Sequence, residues 1–288
     1  MPHRIHCILI DDDPAVLSPM QNILHQSAQF HVDKCFTSID NALAYLQTHQ
    51  PDLIISDIEF PQQDLAYYRL KEFPDDIPLC LISGYPVYVA QSYPFLRDKA
   101  STIGILTKPF TPALMQVLET LYNQYKQRQE RQQQDSYQTE QLIRAANEHK
   151  LKLFKLKDNQ SIVPVGIPIA NIIMAFPNRT FRGLTVYCRY FPKPFVLPNT
   201  TLKECFEDIE SRCPGLCLPI GRSGIANLLN VTTECDTIIP QNRNYATTKL
   251  SLPIPVRLQR DIKEKIQQFE KRLTQYKETK RQRQEELL

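Results

Sequence analysis

The sequence of 288 residues lacks tryptophan altogether and has only 7 glycines. It contains no Gly-Lys pair and no GxGxxG run, which excludes a Walker-type nucleotide loop and a dinucleotide-binding fingerprint. No apolar run reaches the ~18 residues that a membrane span needs. Acidic residues directly follow the first short apolar run, a pattern that is wrong for a signal peptide. These absences predict a globular protein of the cytoplasm with no membrane segment.

Histidines and paired cysteines are missing where a metal site or a catalytic base would need them. All six histidines precede residue 150, so the second half offers no histidine ligand and no histidine general base. The eight cysteines include no CxxC pair. Several lie in apolar runs, which predicts buried thiols in a reducing compartment rather than disulfides or a zinc site.

The formal net charge of +3 combines two halves of opposite sign. Residues 1–121 hold 7 Lys and Arg against 14 Asp and Glu, whereas residues 150–288 hold 23 against 13. An acidic half can bind a divalent cation, and a basic half can bind a polyanion such as nucleic acid. Two ordinary solvated surfaces would give the same counts, so the function of each half depends on its motifs.

Short apolar runs alternate with amphipathic stretches through the first half. We predict strands at 5–10, 31–36, 53–56, 78–83 and 103–106, and helices at 16–24 and 41–48. Thr111 and Pro112 provide a cap and a first turn for a further helix. This alternation predicts an α/β fold with a doubly wound parallel sheet, in which ligands bind at the carboxyl ends of the strands.

Polar side chains stand at those carboxyl ends. They comprise four carboxylates, one hydroxyl and one amine: Asp11, Asp12, Asp13, Asp57, Ser83 and Lys108. Crowded carboxylates repel one another unless a cation offsets their charge, and oxygen ligands of this kind suit Mg²⁺. An Asp between Mg²⁺ and a lysine ammonium is suited to attack a phosphoryl group. Taken alone, the Asp run equally suits a helix N-cap, and the lysine a solvated surface.

Four motifs carry these residues in order: ILIDDDP, IISDIEFP, LISGYP and LTKPF. Together they resemble the receiver domain of two-component response regulators, over residues 4–122. The resemblance implies that Asp57 accepts a phosphoryl group from a histidine kinase. It also implies a Mg²⁺ site formed by Asp11, Asp12, Asp57 and the carbonyl of Glu59. Ser83 and Lys108 are implied to bind the phosphoryl group.

Ile105 departs from the receiver pattern. The family usually has an aromatic residue three positions before the lysine, and that residue moves inward with the hydroxyl residue. An isoleucine can pack there but cannot stack or expose a phenol. The usual aromatic relay is therefore not expected, whereas the phosphorylation chemistry is.

The second half begins after a polar segment. Residues 123–150 are rich in Gln and lack Gly and Pro, which predicts a solvated helix or a semi-rigid spacer. A coiled-coil signal helix is the other alternative, but the segment has too few apolar residues to favour it. Strand-like runs follow at 151–153, 162–165, 172–176, 184–190, 216–220, 238–239 and 249–252. Pro164 indicates an edge strand, and Thr201 with Glu204 indicates a capping box. We predict a mainly β module with too few polar catalytic groups for an enzyme.

This module carries a second set of motifs: IPIANIIMAF, VLPNTTLKECFEDI, IGRSGIANLLNV and LPIPVRLQRDI. They resemble the LytTR DNA-binding domain over residues 151–257. The resemblance implies that loops contact double-stranded DNA, with Arg182, Arg222 and Arg257 at or near the contact positions. Only Arg222 matches the family residue for residue. Gly221 stands where histidine is usual and Pro219 where arginine is usual, and both departures remove polar groups.

The last segment has a short apolar stripe with coiled-coil spacing: Ile262, Ile266, Phe269, Leu273 and Tyr276. It can pair with a second chain or pack onto its own domain. The predicted organisation is a receiver domain at 1–124, a Gln-rich linker at 125–149, a LytTR-like domain at 150–257 and a charged C-terminal helix at 258–288.

These features predict a phosphorylation-dependent transcription factor that forms a homodimer when phosphorylated and is not an enzyme. In one alternative the basic module binds protein or RNA instead of DNA, because Gly221 and Pro219 remove polar groups. In another the acidic edge is a metal-dependent phosphatase. The sequence disfavours this second alternative because it offers no second metal-binding set and no cap domain.

Overall fold

The computed structural model describes residues 4–60, 69–85, 99, 101–156, 162–241 and 250–285. The first residue of the strand predicted at 249–252 lies outside them. The chain divides into two compact units, Met1–Glu130 and Arg131–Leu288. This division falls inside the predicted linker, and the predicted domain limits stay predictions. Within the described ranges, none of the helices combines the length and apolar character needed to cross a bilayer.

A parallel sheet of five strands forms the first unit, in the order β2-β1-β3-β4-β5. The strands are β1 (Ile5–Ile10), β2 (Phe30–Phe36), β3 (Leu53–Asp57), β4 (Leu79–Ser83) and β5 (Thr102–Thr107). Its described helices are α1 (Pro14–His25), α2 (Ile39–Leu46) and α3 (Pro112–Glu148), and a 3-10 turn spans Leu70–Glu72. The residues of α3 after Glu130 belong to the second unit. Every predicted strand is present to within one residue at each end, and the parallel α/β sheet is confirmed.

Apolar side chains pack on both faces of this sheet. Leu24 of α1 and Leu118 of α3 belong to one core, whereas Ile39 and Ala42 of α2 belong to the other. Consecutive residues of a strand point to opposite faces, so β1 supplies both cores. This two-sided burial explains why the strands appear in the sequence as nearly continuous apolar runs.

Local capping fixes the start of two helices. Asp13 Oδ1 accepts a hydrogen bond from the backbone N–H of Ala15 at 2.8 Å and caps α1. Thr111 Oγ1 accepts one from the N–H of Leu114 at 3.3 Å, at the start of α3. Of the three consecutive aspartates, Asp13 is therefore the helix cap. The Gln-rich segment, predicted as a solvated helix or a semi-rigid spacer, continues α3 as helix to Glu148.

The second unit is built on an antiparallel sheet of seven strands, in the order β11-β12-β8-β9-β10-β6-β7. The strands are β6 (Lys150–Leu156), β7 (Ile162–Pro168), β8 (Ile172–Pro177), β9 (Gly183–Cys188), β10 (Phe195–Pro198), β11 (Cys217–Ile220) and β12 (Gly224–Asn227). A smaller sheet contains β13 (Val231–Glu234), β14 (Thr237–Pro240) and β15 (Leu252–Pro253). The helices are α4 (Leu202–Arg212) and α5 (Gln259–Glu285), and 3-10 turns span Ile169–Asn171 and Val256–Leu258.

Several local predictions for this unit are confirmed. The strand that carries Pro164 is an edge strand, and Thr201 with Glu204 forms the capping box of α4. The strand predicted at 184–190 ends earlier, at Cys188, because Tyr190 has a φ of +67° that interrupts extended backbone. Strands β10, β12 and β13 were not predicted.

The apolar stripe of α5 packs onto its own unit. Ile262, Ile266, Phe269 and Leu273 are buried in the core that the sheet and α4 also line. Of the two arrangements open to this stripe, the chain therefore uses the intramolecular one. Six of the eight cysteines are buried and none forms a disulfide, as the sequence predicted.

Candidate functional site

Strand order brings the predicted polar residues to one edge of the parallel sheet. Asp57 is the last residue of β3 and pairs with Ile82 of the neighbouring β4. Ser83 ends β4, and its carbonyl accepts a hydrogen bond from the backbone N–H of Lys108 at 2.9 Å. Asp11 directly follows β1, the neighbour of β3 on the other side. The predicted convergence of these strand ends is therefore present.

Lys108 lies between two buried carboxylates. Its Nζ donates a hydrogen bond to Asp57 Oδ2 at 2.6 Å and forms an ion pair with Asp11 Oδ2 at 2.7 Å. The side chain of Lys108 is 25% exposed, whereas those of Asp11 and Asp57 are 1% and 3% exposed. One ammonium thus offsets two carboxylates that water barely reaches.

The environment of Asp57 shifts its titration. Burial raises the pKa of its carboxyl group, and the negative charge of Asp11 adds to this effect. The hydrogen bond and charge of Lys108, and the 2.8 Å hydrogen bond from the N–H of Ile58 to Oδ1, act in the opposite direction. Burial prevails, so the pKa lies above its ordinary value. The sequence analysis missed the Ile58 donor, because a backbone N–H is present at nearly every residue and leaves no signal in a side-chain motif.

The lysine and the hydroxyl residue are also fixed in place. Burial lowers the pKa of Lys108, but its contacts with Asp11 and Asp57 outweigh that effect and leave the pKa raised. Ser83 is fully buried, and its Oγ accepts a hydrogen bond from the N–H of Tyr85 at 2.9 Å. The departure at Ile105 is accommodated by packing, since this half-buried side chain contacts the core on the α2 side of the sheet.

The carboxylates are arranged as a cation site would require. Single oxygens of Asp11, Asp12 and Asp57 lie within 4.8 Å of one another. Asp11 Oδ2 also contacts the Lys108 ammonium at 2.7 Å. Carboxylate oxygens are the ligands that Mg²⁺ takes in proteins, so the donor set fits Mg²⁺. Glu59 has an exposed side chain, and the role of its carbonyl stays a prediction.

Two of the three predicted DNA-contact arginines lie at the same end of the antiparallel sheet. Ala175 of β8 pairs with Ile225 of β12 on one side and with Val186 of β9 on the other. Strands β12 and β9 therefore run in the same direction, and both begin at this end. Arg222 lies in the turn before β12 and Arg182 in the loop before β9, and both are exposed.

The third arginine belongs to a different element. Arg257 is exposed in the 3-10 turn Val256–Leu258, next to α5 and outside the antiparallel sheet. The structure also gives a reason for the glycine at position 221. Its φ is +55°, in the left-handed region that favours glycine, and the turn is closed by a hydrogen bond from Ser223 N to Ile220 O at 3.0 Å.

Comparisons with known proteins concern the first unit. A family model for the response regulator receiver domain matches residues 7–119. Response regulator Rre1 of Synechocystis sp. is 31% identical over 123 residues, which cover 41% of this chain and 51% of that protein. Heme response regulator HssR of Staphylococcus saprophyticus is 28% identical over 108 residues, covering 36% and 45%. The chain thus spans about half the length of these curated relatives.

A solved structure is also similar to part of this chain. The signal receiver domain of an HD domain-containing protein from Pseudomonas fluorescens Pf-5 is 20% identical, with a TM-score of 0.38, and covers 46% of this chain and 96% of that one. The family model and the parallel sheet with its acidic edge agree in sequence position. Residues 7–119 of this chain therefore form a response regulator receiver domain.

Proposed function

We propose that this chain is a phosphorylation-dependent response regulator that accepts a phosphoryl group from a histidine kinase on Asp57 and binds double-stranded DNA through its second unit. The observation that carries the first part is the position of Asp57, buried at a strand end with its carboxylate 2.6 Å from the Lys108 ammonium. A buried carboxylate held by a fixed cation is oriented for nucleophilic attack.

In the proposed transfer, a carboxylate oxygen of Asp57 attacks phosphorus and the kinase imidazole leaves. Lys108 is placed to bind the arriving phosphoryl oxygens, and the Ser83 hydroxyl is placed on the neighbouring strand to do the same. Asp11, Asp12, Asp57 and the Glu59 carbonyl would hold Mg²⁺, which when bound offsets the repulsion between the carboxylates and the phosphoryl group. The added charge of roughly −1.5 to −2 would then shift the packing of this edge.

Labelling with acetyl phosphate in the presence of Mg²⁺ tests the acceptor. The full chain should gain one phosphoryl group that is labile to base and to hydroxylamine, and Asp57→Asn should abolish it. Asp76→Asn removes an exposed carboxylate of the same unit and should leave labelling intact. Persistent labelling of Asp57→Asn on another residue would refute the assignment.

The second part of the proposal is supported by the arginines at the sheet end. Strands β9 and β12 are separated by one strand, so the two strands run roughly 10 Å apart. That separation fits within a major groove about 12 Å wide. One acid, Glu204, lies near this basic end. The hydrogen bonds that it accepts from Thr201 and the charge of Arg182 lower its pKa.

Fluorescence anisotropy with random-sequence duplexes tests DNA binding. Affinity should fall steeply with salt, and Arg222→Ala should reduce the log–log slope by about one if it contacts a phosphate, or relax base preference if it reads a guanine. Arg144→Ala, an exposed arginine on α3, is the matched control. A nearly flat salt dependence, or equal effects of the two variants, would favour the alternative in which this unit binds protein or RNA.

Phosphorylation is proposed to promote homodimer formation, which would present two basic units to paired DNA half-sites. Sedimentation velocity before and after acetyl phosphate treatment tests this step, and an unchanged monomer would refute it. We further propose that the chain is a switch without an enzymatic substrate of its own. Steady release of phosphate from a generic ester without self-labelling would contradict that proposal. The cytoplasmic location stays a prediction.

A further inference from the structure

A group of metal-ligating side chains lies at the other end of the receiver sheet from Asp57. His6 is the second residue of β1 and His31 the second residue of β2, and the two are paired in the sheet register. Asp33 follows on β2. One donor atom from each of these three side chains lies within 4.8 Å of the others. The two histidines are 25 positions apart in sequence, so only the strand pairing brings them together.

The local backbone aims the carboxylate at the imidazoles. Cys7 pairs with Val32 whereas Ile8 pairs with Lys34, so Asp33 is the additional residue of a bulge in β2. A bulge redirects the side chain of the inserted residue. Asp33 Oδ1 here lies 2.7 Å from His6 Nδ1 and 3.7 Å from His31 Nε2.

These distances are close to the spacing between ligand atoms around a bound transition-metal ion. Bonds of ~2.0–2.1 Å in tetrahedral geometry place neighbouring ligand atoms roughly 3.3 Å apart. The observed 2.7 Å and 3.7 Å fall on either side of that value, so rotations of the side chains are sufficient to reach it. The 2.7 Å contact is a hydrogen bond when Nδ1 of His6 carries a proton, and a metal ion would replace that proton.

The surroundings favour a cation and hold the strands in place. Two carboxylates, those of Asp33 and Asp52, lie against His6 and give this end of β1 a negative charge. Asp52 Oδ2 accepts a hydrogen bond from the backbone N–H of His6 at 3.0 Å, and this fixes the start of β1. The ammonium of Lys34 instead lies 5.3 Å from the Phe36 and Tyr45 rings.

The site is open on one side. The side chains of His6, His31 and Asp33 are 48%, 45% and 23% exposed. The ring of His25 stacks on that of His31, with centroids 6.2 Å apart. Three protein ligands with a free fourth position allow water or another ligand to bind, and the ion can exchange with the medium.

We propose that His6, His31 and Asp33 bind one divalent first-row transition-metal ion of the Zn²⁺ class, at a site separate from the carboxylates around Asp57. Two imidazole nitrogens and one carboxylate oxygen select such ions over Mg²⁺, which prefers an all-oxygen shell. The site lies on rigid strands at the edge of the sheet, because β2 is the outermost strand.

Zinc titration of the full chain, stripped of metal and kept in a large excess of Mg²⁺, tests the proposal. The Mg²⁺ occupies the carboxylates near Asp57, so the remaining zinc binding should be one equivalent. His31→Ala and Asp33→Asn should each weaken it at least about tenfold. Two control variants should leave it unchanged: His49→Ala, whose ring stacks on Tyr45, and Cys235→Ser, which removes an exposed thiol.

A second measurement locates the ion without any variant. Paramagnetic Cu²⁺ added to the isotope-labelled wild-type chain should broaden the amide signals of residues 5–8 and 30–34 first. Broadening centred on Asp57 or Cys235 would overturn the proposal. So would zinc binding that Mg²⁺ displaces, or that His31→Ala and Asp33→Asn leave intact, because the three residues would then form only a surface ion pair.

Discussion

Replacement of Lys108 by methionine should destabilise the receiver unit strongly, because it leaves two buried carboxylates without their cation. At an effective dielectric constant of ~20, unit charges about 2.7 Å apart attract by about 6 kcal/mol for each pair. The cost of desolvating the ammonium offsets part of this attraction. Removing one partner of a buried pair usually costs about 3–5 kcal/mol. Since the Lys108 side chain is 25% exposed, we expect the lower end, about 3 kcal/mol at neutral pH.

The deficit should depend on pH with a defined sign. Without the ammonium, the pKa of Asp57 in the folded unit rises further above the unfolded value of about 3.9. A carboxyl group with a raised folded pKa opposes folding once pH exceeds the unfolded value, and the penalty is complete above the folded pKa. The variant should therefore approach the stability of the wild type near pH 4. Mg²⁺ should also reduce the deficit, because it binds the folded carboxylates and not the unfolded chain.

Hydrogen–deuterium exchange in increasing urea measures this effect in the full chain. Peptides from β3 and β4 report the receiver unit specifically, which is necessary because the chain has no tryptophan and contains two units. Lys126→Met, which removes an exposed lysine of the same unit, should change the free energy of unfolding by less than about 0.5 kcal/mol. A deficit for Lys108→Met as small as that of this control, at neutral pH without Mg²⁺, would refute the reasoning.

Three further predictions concern Asp57, Gly183 and Asn227. Because burial raises the pKa of Asp57, its ionisation should reduce the stability of the receiver unit as pH rises above about 4. Asp57→Asn cannot ionise, so its stability should fall less over this pH range. Urea unfolding at stepped pH measures the difference. Gly183→Ala should destabilise the second unit by at least about 2 kcal/mol. The reason is that the φ of Gly183 is +147° and an added Cβ would lie 2.4 Å from the carbonyl oxygen of Leu197. Gly166→Ala is its control, because the added Cβ there meets nothing closer than 3.4 Å. Asn227→Ala should cost about 2–3 kcal/mol by thermal unfolding, because its side chain bonds one backbone carbonyl and one N–H in the interior.

Each of these has a contrary outcome. An unchanged pH profile in Asp57→Asn would mean that burial does not control the titration of this carboxylate. Equal stabilities of the two glycine variants would mean that β9 and β10 separate readily at Gly183. A loss below about 0.5 kcal/mol in Asn227→Ala would mean that water replaces its hydrogen bonds.

The receiver site was predictable because its information is local to each strand. Asp57, Ser83 and Lys108 each end or follow an apolar run, and parallel strands place their carboxyl ends at one edge whatever their order. Helix starts were equally predictable, since Asp13 and the Thr201–Glu204 pair bond backbone groups within three residues. Capping and strand ends depend on neighbours in sequence, which a single sequence displays.

Short strands of the second unit were harder to predict. Strands β10, β12 and β13 contain four residues each, too few to show alternation, and they exist through pairing with neighbouring strands. The fate of the α5 stripe was equally open in the sequence, because coiled-coil spacing and packing onto a domain use the same apolar positions. In the structure this stripe packs into the core of the second unit.

The sequence by itself thus determined the alternation of strands and helices, the acidic edge with its lysine, and the basic character of the second half. Only the tertiary structure decided which distant residues meet. It brought His6 beside His31, aimed Asp33 at both through a bulge, and put Arg182 and Arg222 at one sheet end. The physical reason is that strand order and register arise from the packing of whole faces, and that information is distributed over many positions rather than carried by any one motif.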